Sequence, residues 1–374
     1  MFLSIIIAIL ILSFLIISHE FGHFIVAKKS GVKVEEFGIG YPPKIWGIKK
    51  GETTYSVNAV PLGGFVRLYG EEEKDEEHLK NPRSFNAKPI ATRALIIAAG
   101  VIMNFLVAVV IFYFLLPFSG FASQQYLVFN YHFPFGEQQN YPLIFYVAKN
   151  SPAEKAGLET KSIVLSGNGI KFKDAGQFVK FTNNNKGEKI FLKTRDLDNG
   201  KIKEISVVPR NNPPAGEGPL GIGLGDVAEI RYGTGLEKAT VGFLHSFNLA
   251  HYSVMALGHL IGTSFKQGSI KPLSSSVVGP VGILAITKLT LQRGIIAVLN
   301  LIALISLALV VVNIIPFPAL DGGRLLFIAF EGIFKKRVPQ IIERNVNLVG
   351  FIFLILLLVL VTIKDVSRFK GILF

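Results

Sequence analysis

The sequence predicts a polytopic α-helical membrane protein with four transmembrane helices, a membrane-associated β-hairpin loop and an inserted α+β domain. Three observations carry that prediction. Hydrophobic residues make up 50% of the 374 positions, with a mean hydropathy of +0.47, too apolar for an ordinary soluble domain. The apolar residues gather in blocks at 3–27, 94–116, 295–315 and, shorter, 348–363, and about 20 such residues cross the hydrocarbon core of a bilayer. Between the second and third blocks lies one stretch with the composition of a small soluble domain.

The first transmembrane helix is placed at 1–28. No Lys or Arg precedes its apolar run, so it reads as an uncleaved span rather than a signal peptide. Lys28 and Lys29 follow it and place its end in the cytoplasm. The loop 29–93 is basic and holds two β-prone runs, 53–60 and 64–69, separated by Pro61-Leu62-Gly63-Gly64. That pattern reads as a hairpin with a glycine turn. The second span is placed at 94–117.

Short β-prone runs at 143–147, 163–165, 189–192 and 202–208 alternate with Gly and Asn turns. They predict one domain over 125–212, with 213–216 (Pro-Pro-Ala-Gly) as its exit. The stretch 239–265 has no formal charge but carries His245, Asn248, His251 and His259. That polarity predicts an interfacial helix, 236–266, rather than a fifth span. The third span is placed at 295–323 and the fourth at 348–364. Four spans put the inserted domain outside. They leave Arg324, Lys335, Lys336, Arg337 and Arg344 on the cytoplasmic side, as basic loops require.

The net charge of +13 is spread over loops, not gathered in a patch, which argues against nucleic acid and for contact with membrane lipids. There is no cysteine, so any metal must be held by His and carboxylate.

His19-Glu20-Phe21-Gly22-His23 carries the chemistry. On a helix, positions i and i+4 share a face, so His19 and His23 can bind one zinc ion while Glu20 serves as general base toward a water. Three such side chains in an apolar helix are costly without a partner, and a metal supplies one. A catalytic zinc needs a third protein ligand. Asp321 is the candidate: it follows an apolar helix interrupted by Pro316 and Pro318, at the same cytoplasmic end as His19 and His23. Asp-Gly-Gly alone would read as a surface turn.

The chain resembles the site-2 protease family, in particular the bacterial regulator-of-sigma-E type of intramembrane protease. The matching motifs are HEFGH at 19–23, PLGGFVRLYGE at 61–71, AAGVIMN at 98–104, GPVGI at 279–283 and NIIPFPALDGG at 313–323. The resemblance implies zinc held by His19, His23 and Asp321, with Glu20 as base. It implies substrate contact by Asn313 and by the loop around Gly63, Gly64 and Phe65, which would pair with an extended substrate segment. It also implies a bacterial inner membrane location, with the active site towards the cytoplasm. NSPAEKAGL at 150–158 resembles a protease-associated PDZ domain, although Glu159-Thr160-Lys161-Ser162 replaces the usual Pro-Gly-Asp turn. A single PDZ domain outside the membrane, able to take peptide tails, is therefore expected.

Asn104 reads as structural, and His245, His251 and His259 do not share one helical face as a second metal site would need. The expected activity is a zinc-dependent endopeptidase acting on transmembrane proteins. The rival classes are a non-proteolytic PDZ-bearing scaffold, which predicts a decayed metal site, and a metal transporter, which needs ligands spread across the membrane.

Overall fold

Lipid offers no hydrogen bonds to a backbone, so long apolar runs in a membrane become helices. The computed structural model describes residues 2–71 and 76–373. Its first part runs α1 (Phe2–Lys29), β1 (Val34–Lys50), β2 (Thr53–Leu68), α2 (Glu76–Lys80) and α3 (Ile90–Phe118). There follow β3 (Ala122–Leu127), β4 (Glu137–Val147), α4 (Pro152–Lys155), β5 (Ser162–Gly167), α5 (Ala175–Asn184), β6 (Ile190–Asp196), β7 (Ile202–Val207) and β8 (Ile222–Arg231). The last part is helical: α6 (Gly235–Ala239), α7 (Val241–Gln267), α8 (Lys271–Ser276), α9 (Pro280–Leu291), α10 (Ile295–Ile314), α11 (Asp321–Phe334) and α12 (Gln340–Leu373). Among the described residues, α1, α3, α10 and α12 are long and apolar enough to cross a membrane, in agreement with the expected four. The chain forms two units, one up to Leu115 together with everything from His245, the other Leu116–Leu244.

In the first unit β1 and β2 each bend and pair twice. Residues 34–39 pair with 64–68 on one side, as in Phe37 with Val66, and with 54–57 on the other, as in Phe37 with Tyr55. Residues 44–50 pair with 53–58 beyond them. The result is a four-stranded antiparallel sheet in the order 64–68, 34–39, 53–58, 44–50. This corrects the expected hairpin between 53–60 and 64–69: those runs never touch, because 34–39 lies between them. Gly63 (φ +88°) makes the bend, a conformation that costs glycine little and other residues more. Ser13 Oγ donates to the carbonyl of Pro61 at 2.9 Å, which fastens the bend to α1.

Helices α1 and α3 meet at very short range. A methyl group on Gly22 would lie 2.2 Å from the carbonyl oxygen of Ala99. Further along, Ile11 and Leu15 of α1 pack with Val298 of α10. Helix α9 begins at the GPVGI motif, and α12 supplies its start with a carboxylate. Asp365, fully buried, accepts from the backbone N–H of Gly279 at 2.8 Å and of Gly282 at 2.9 Å through Oδ2. Those are free donors at a helix start. Asp365→Ala is expected to cost about 1–3 kcal/mol, read as a lower Tm in detergent with metal content unchanged.

Helix α7 carries polar residues in both buried and exposed settings, with His251 and His259 exposed. His245, Ser246 and Asn248 are buried, whereas Phe243, Phe247, Val254, Met255, Ile261 and Phe265 are exposed.

The second unit is a six-stranded sheet of order β3-β8-β4-β5-β6-β7. Its core gathers Ile144, Val164, Phe178, Ile190, Leu192 and Leu220. Ser151 caps α4 by accepting from the Glu154 N–H. The sheet extends past the expected limit at 212. Residues 213–216 form a turn, with the Glu217 N–H donating to the Pro214 carbonyl at 3.0 Å, and the chain returns as β8 between β3 and β4.

Candidate active site

The site is built from α1, the start of α11, and one face of α3. Helical spacing puts His19 and His23 one turn apart, with their Nε2 atoms 3.1 Å from each other. Asp321 Oδ2 lies 2.9 Å from His19 Nε2 and 3.4 Å from His23 Nε2. Both imidazoles are about nine-tenths buried. Two residues of the first helix and one from late in the chain thus lie together at one point.

The donor set fits zinc. Tetrahedral zinc with bonds of about 2.0–2.1 Å spaces its ligands about 3.3 Å apart, close to the three separations here. His23 Nδ1 lies 2.8 Å from the Ile96 carbonyl. A carbonyl only accepts, so Nδ1 carries the proton and Nε2 presents its lone pair to the site. That lone pair faces an imidazole nitrogen and a carboxylate oxygen, a grouping that a cation relieves. With no cysteine and nitrogen and oxygen donors, the set suits zinc among the divalent ions. Glu20 belongs to the same cluster, its carboxylate oxygen and the imidazole nitrogens lying within 4.8 Å of one another.

Helix α3 closes the back of the site through Gly100. A methyl group there would lie 2.4 Å from His23 Nε2 and 2.7 Å from His19 Nε2. Sequence reasoning singled out AAGVIMN only as a motif. The run of small residues in a span was the available signal for a close helix approach.

On the open side lies the edge strand of the first sheet. A methyl on Gly64 would sit 3.8 Å from Glu20 Cγ, and one on Gly63 3.5 Å from Ile16. Gly64 therefore borders Glu20, and Gly63 lies against Ile16 on the same helix. The Phe65 ring instead covers Gly38, since a methyl at Gly38 would fall 2.4 Å from it. Asn313 is half-buried in the last turn of α10. The loop between α10 and α11 is tied to α12, with the Ala319 N–H donating to Asn347 Oδ1 at 3.1 Å. Sequence reasoning missed Asn347 and the Ile96 carbonyl, which only the fold brings to the site.

Apolar spanning helices around a buried two-histidine, one-aspartate donor set with an adjacent glutamate define a membrane-embedded metallohydrolase. The chain belongs to peptidase family M50, whose model matches residues 7–357. It is 35% identical over 365 residues to a protein of Clostridium acetobutylicum with the provisional name of a zinc metalloprotease, covering 98% of both chains. It is 28% identical to the zinc metalloprotease RasP of Geobacillus kaustophilus, with 98% of each covered. It is also 28% identical to the regulator of sigma-W protease RasP of Bacillus subtilis, covering 98% of this chain and 99% of that one. The protein is a membrane zinc metalloendopeptidase of the intramembrane kind.

Proposed function

We propose that His19, His23 and Asp321 hold the zinc and that Glu20 is the general base, so that the chain cuts transmembrane proteins within or beside their spans. The convergence of His19 Nε2, His23 Nε2 and Asp321 Oδ2 within 3.4 Å is the observation that carries this reading. Bound zinc supplies Lewis acidity towards the scissile carbonyl and an activated water. The rest falls to the chain's own residues. Glu20 takes the proton of the attacking water and passes it to the leaving amide nitrogen. The edge strand at Gly63 and Gly64 pairs with an unwound substrate segment as an added strand and holds it extended beside Glu20. Phe65 shapes that edge by stacking on Gly38. Asn313 offers an amide N–H to the developing negative charge.

The complete donor set leaves the non-proteolytic scaffold without support. Basic loops after the first and third spans favour a cytoplasmic active site in the bacterial inner membrane, with the second unit outside. The capped SPAEKAGL segment and antiparallel sheet of that unit support a single PDZ domain that takes peptide tails. Lys and Arg around the spans suit anionic lipid. The sigma-W regulator among the relatives points to membrane-anchored regulators, such as anti-sigma factors, as substrates. Signal-peptide remnants have the same chemistry.

Metal removal tests the reading. Protein purified in detergent is expected to cut a tagged single-span reporter, to lose that activity on chelation, and to regain it with one equivalent of zinc. Cleavage that survives in protein shown to be metal-free would sink it.

A further inference from the structure

Beside Asp321 lies a cluster of charges that the chemistry above does not use. Arg324, on the first turn of α11, donates to the Glu71 carboxylate. Glu71 ends the segment that starts as the edge strand by Glu20, and its carbonyl and that of Gly70 accept from Asn86 Nδ2 at 3.0 and 2.7 Å. Arg93, buried near the start of α3, donates to Glu331 of α11 at 2.7 Å. Arg337 donates to the same Glu331 at 3.2 Å and to the Asn86 carbonyl at 2.9 Å. Burial alone would raise the Glu331 carboxyl, but Arg93 and Arg337 hold it below the usual range. The cavity between these groups is about 40 Å³. That is room for water only, so the cluster is a tie and not a ligand site.

Three parts of the machinery end in this knot. One is the strand edge beside Glu20, the second is the helix whose Ile96 and Gly100 frame the histidines, and the third is the helix that opens with Asp321. The second and third are joined by Arg93 and Glu331. The first is joined to the third close to Asp321 through Glu71 and Arg324.

We propose that Glu71 and Arg324 are positioning residues that fix the distance between the substrate-holding strand and the metal-ligand helix. An error of about 1 Å between a bound group and its catalyst can cost a hundredfold in rate, and Arg–carboxylate pairs hold geometry well. The role is separable from folding. Asn86 and Arg337 still hold the end of the strand, and Arg93 still holds α11, when the Glu71–Arg324 pair is removed. The inference rests on the proteolytic reading.

The test uses full-length protein in detergent, with the tagged single-span reporter, zinc content and Tm measured on each variant. Glu71→Gln and Arg324→Gln are each expected to keep zinc and to leave KM within about twofold, while kcat falls about tenfold to a hundredfold. The charge swap, Glu71→Arg with Arg324→Glu, is expected to regain at least tenfold over the weaker single variant. A merely structural pair would lower Tm and zinc content with kcat per bound zinc unchanged, and that result overturns the proposal. A swap with no recovery overturns it too. Should Arg324→Gln not fold, Glu71→Gln carries the test alone, because Asn86 holds its backbone. An unaltered enzyme that leaves the reporter intact sinks the proteolytic reading and this inference together. Normal cleavage by both single variants sinks the inference only.

Discussion

Glu20→Gln is expected to abolish measurable cleavage while leaving the metal in place. The amide keeps the size and shape of the carboxylate but cannot accept the proton of the attacking water. General acid–base catalysis contributes about 10²–10⁴-fold, and in the proposed mechanism Glu20 would serve twice, once for the water and once for the leaving nitrogen. The metal stays because Glu20 is not among the three converging donors His19, His23 and Asp321. Elemental analysis of the purified variant should therefore match the unaltered protein, with kcat down by at least about a hundredfold. Near-normal cleavage would remove Glu20 from the chemistry. Loss of zinc would reassign it as a ligand.

Gly100→Ala is expected to do the opposite and expel the metal. The new methyl would stand 2.4 Å from His23 Nε2 and 2.7 Å from His19 Nε2, far inside van der Waals contact. Two responses are open. The rings can turn, which breaks the 3.1 Å spacing between the Nε2 atoms and the Nδ1 bond of His23 to Ile96. Alternatively α3 can withdraw from α1, which opens the contact of Gly22 with Ala99 at an overpacking cost of about 1–3 kcal/mol. Either way the donor set loses its spacing. Zinc content close to zero, with the protein still folded in detergent, is the expected result. Full zinc occupancy would mean that α3 does not wall the site.

Parts of this architecture could be read from the sequence because they depend on local quantities. Apolar run length decides which helices span a membrane, so α1, α3, α10 and α12 were legible. Spacing on one helix decides that His19 and His23 share a face, and the broken helix before Asp321 marked a partner.

What stayed hidden depends on contacts far apart in the chain. Periodicity marks 53–60 and 64–69 as strands but does not say that 34–39 separates them. The Pro-rich run at 213–216 has the punctuation of a linker, yet Leu220 just beyond it is buried in the core of the second unit. On α7, His245 is buried against Phe112 of α3 while His251 and His259 stay exposed, a difference set by a neighbour far off in the chain. Gly100 is one small residue among several in its span, and its role appears only once the imidazoles of another helix lie against it.

The distance along the chain between the proposed metal donors has a bearing on biogenesis. His19 and His23 leave the ribosome well before Asp321, with the second span and the whole of the second unit made in between. A nascent chain that has threaded its first two spans into the translocon therefore owns two imidazoles and no carboxylate to complete them. With the proposed ligand set, hydrolytic capacity is expected only once Asp321 has been made and has reached the two histidines.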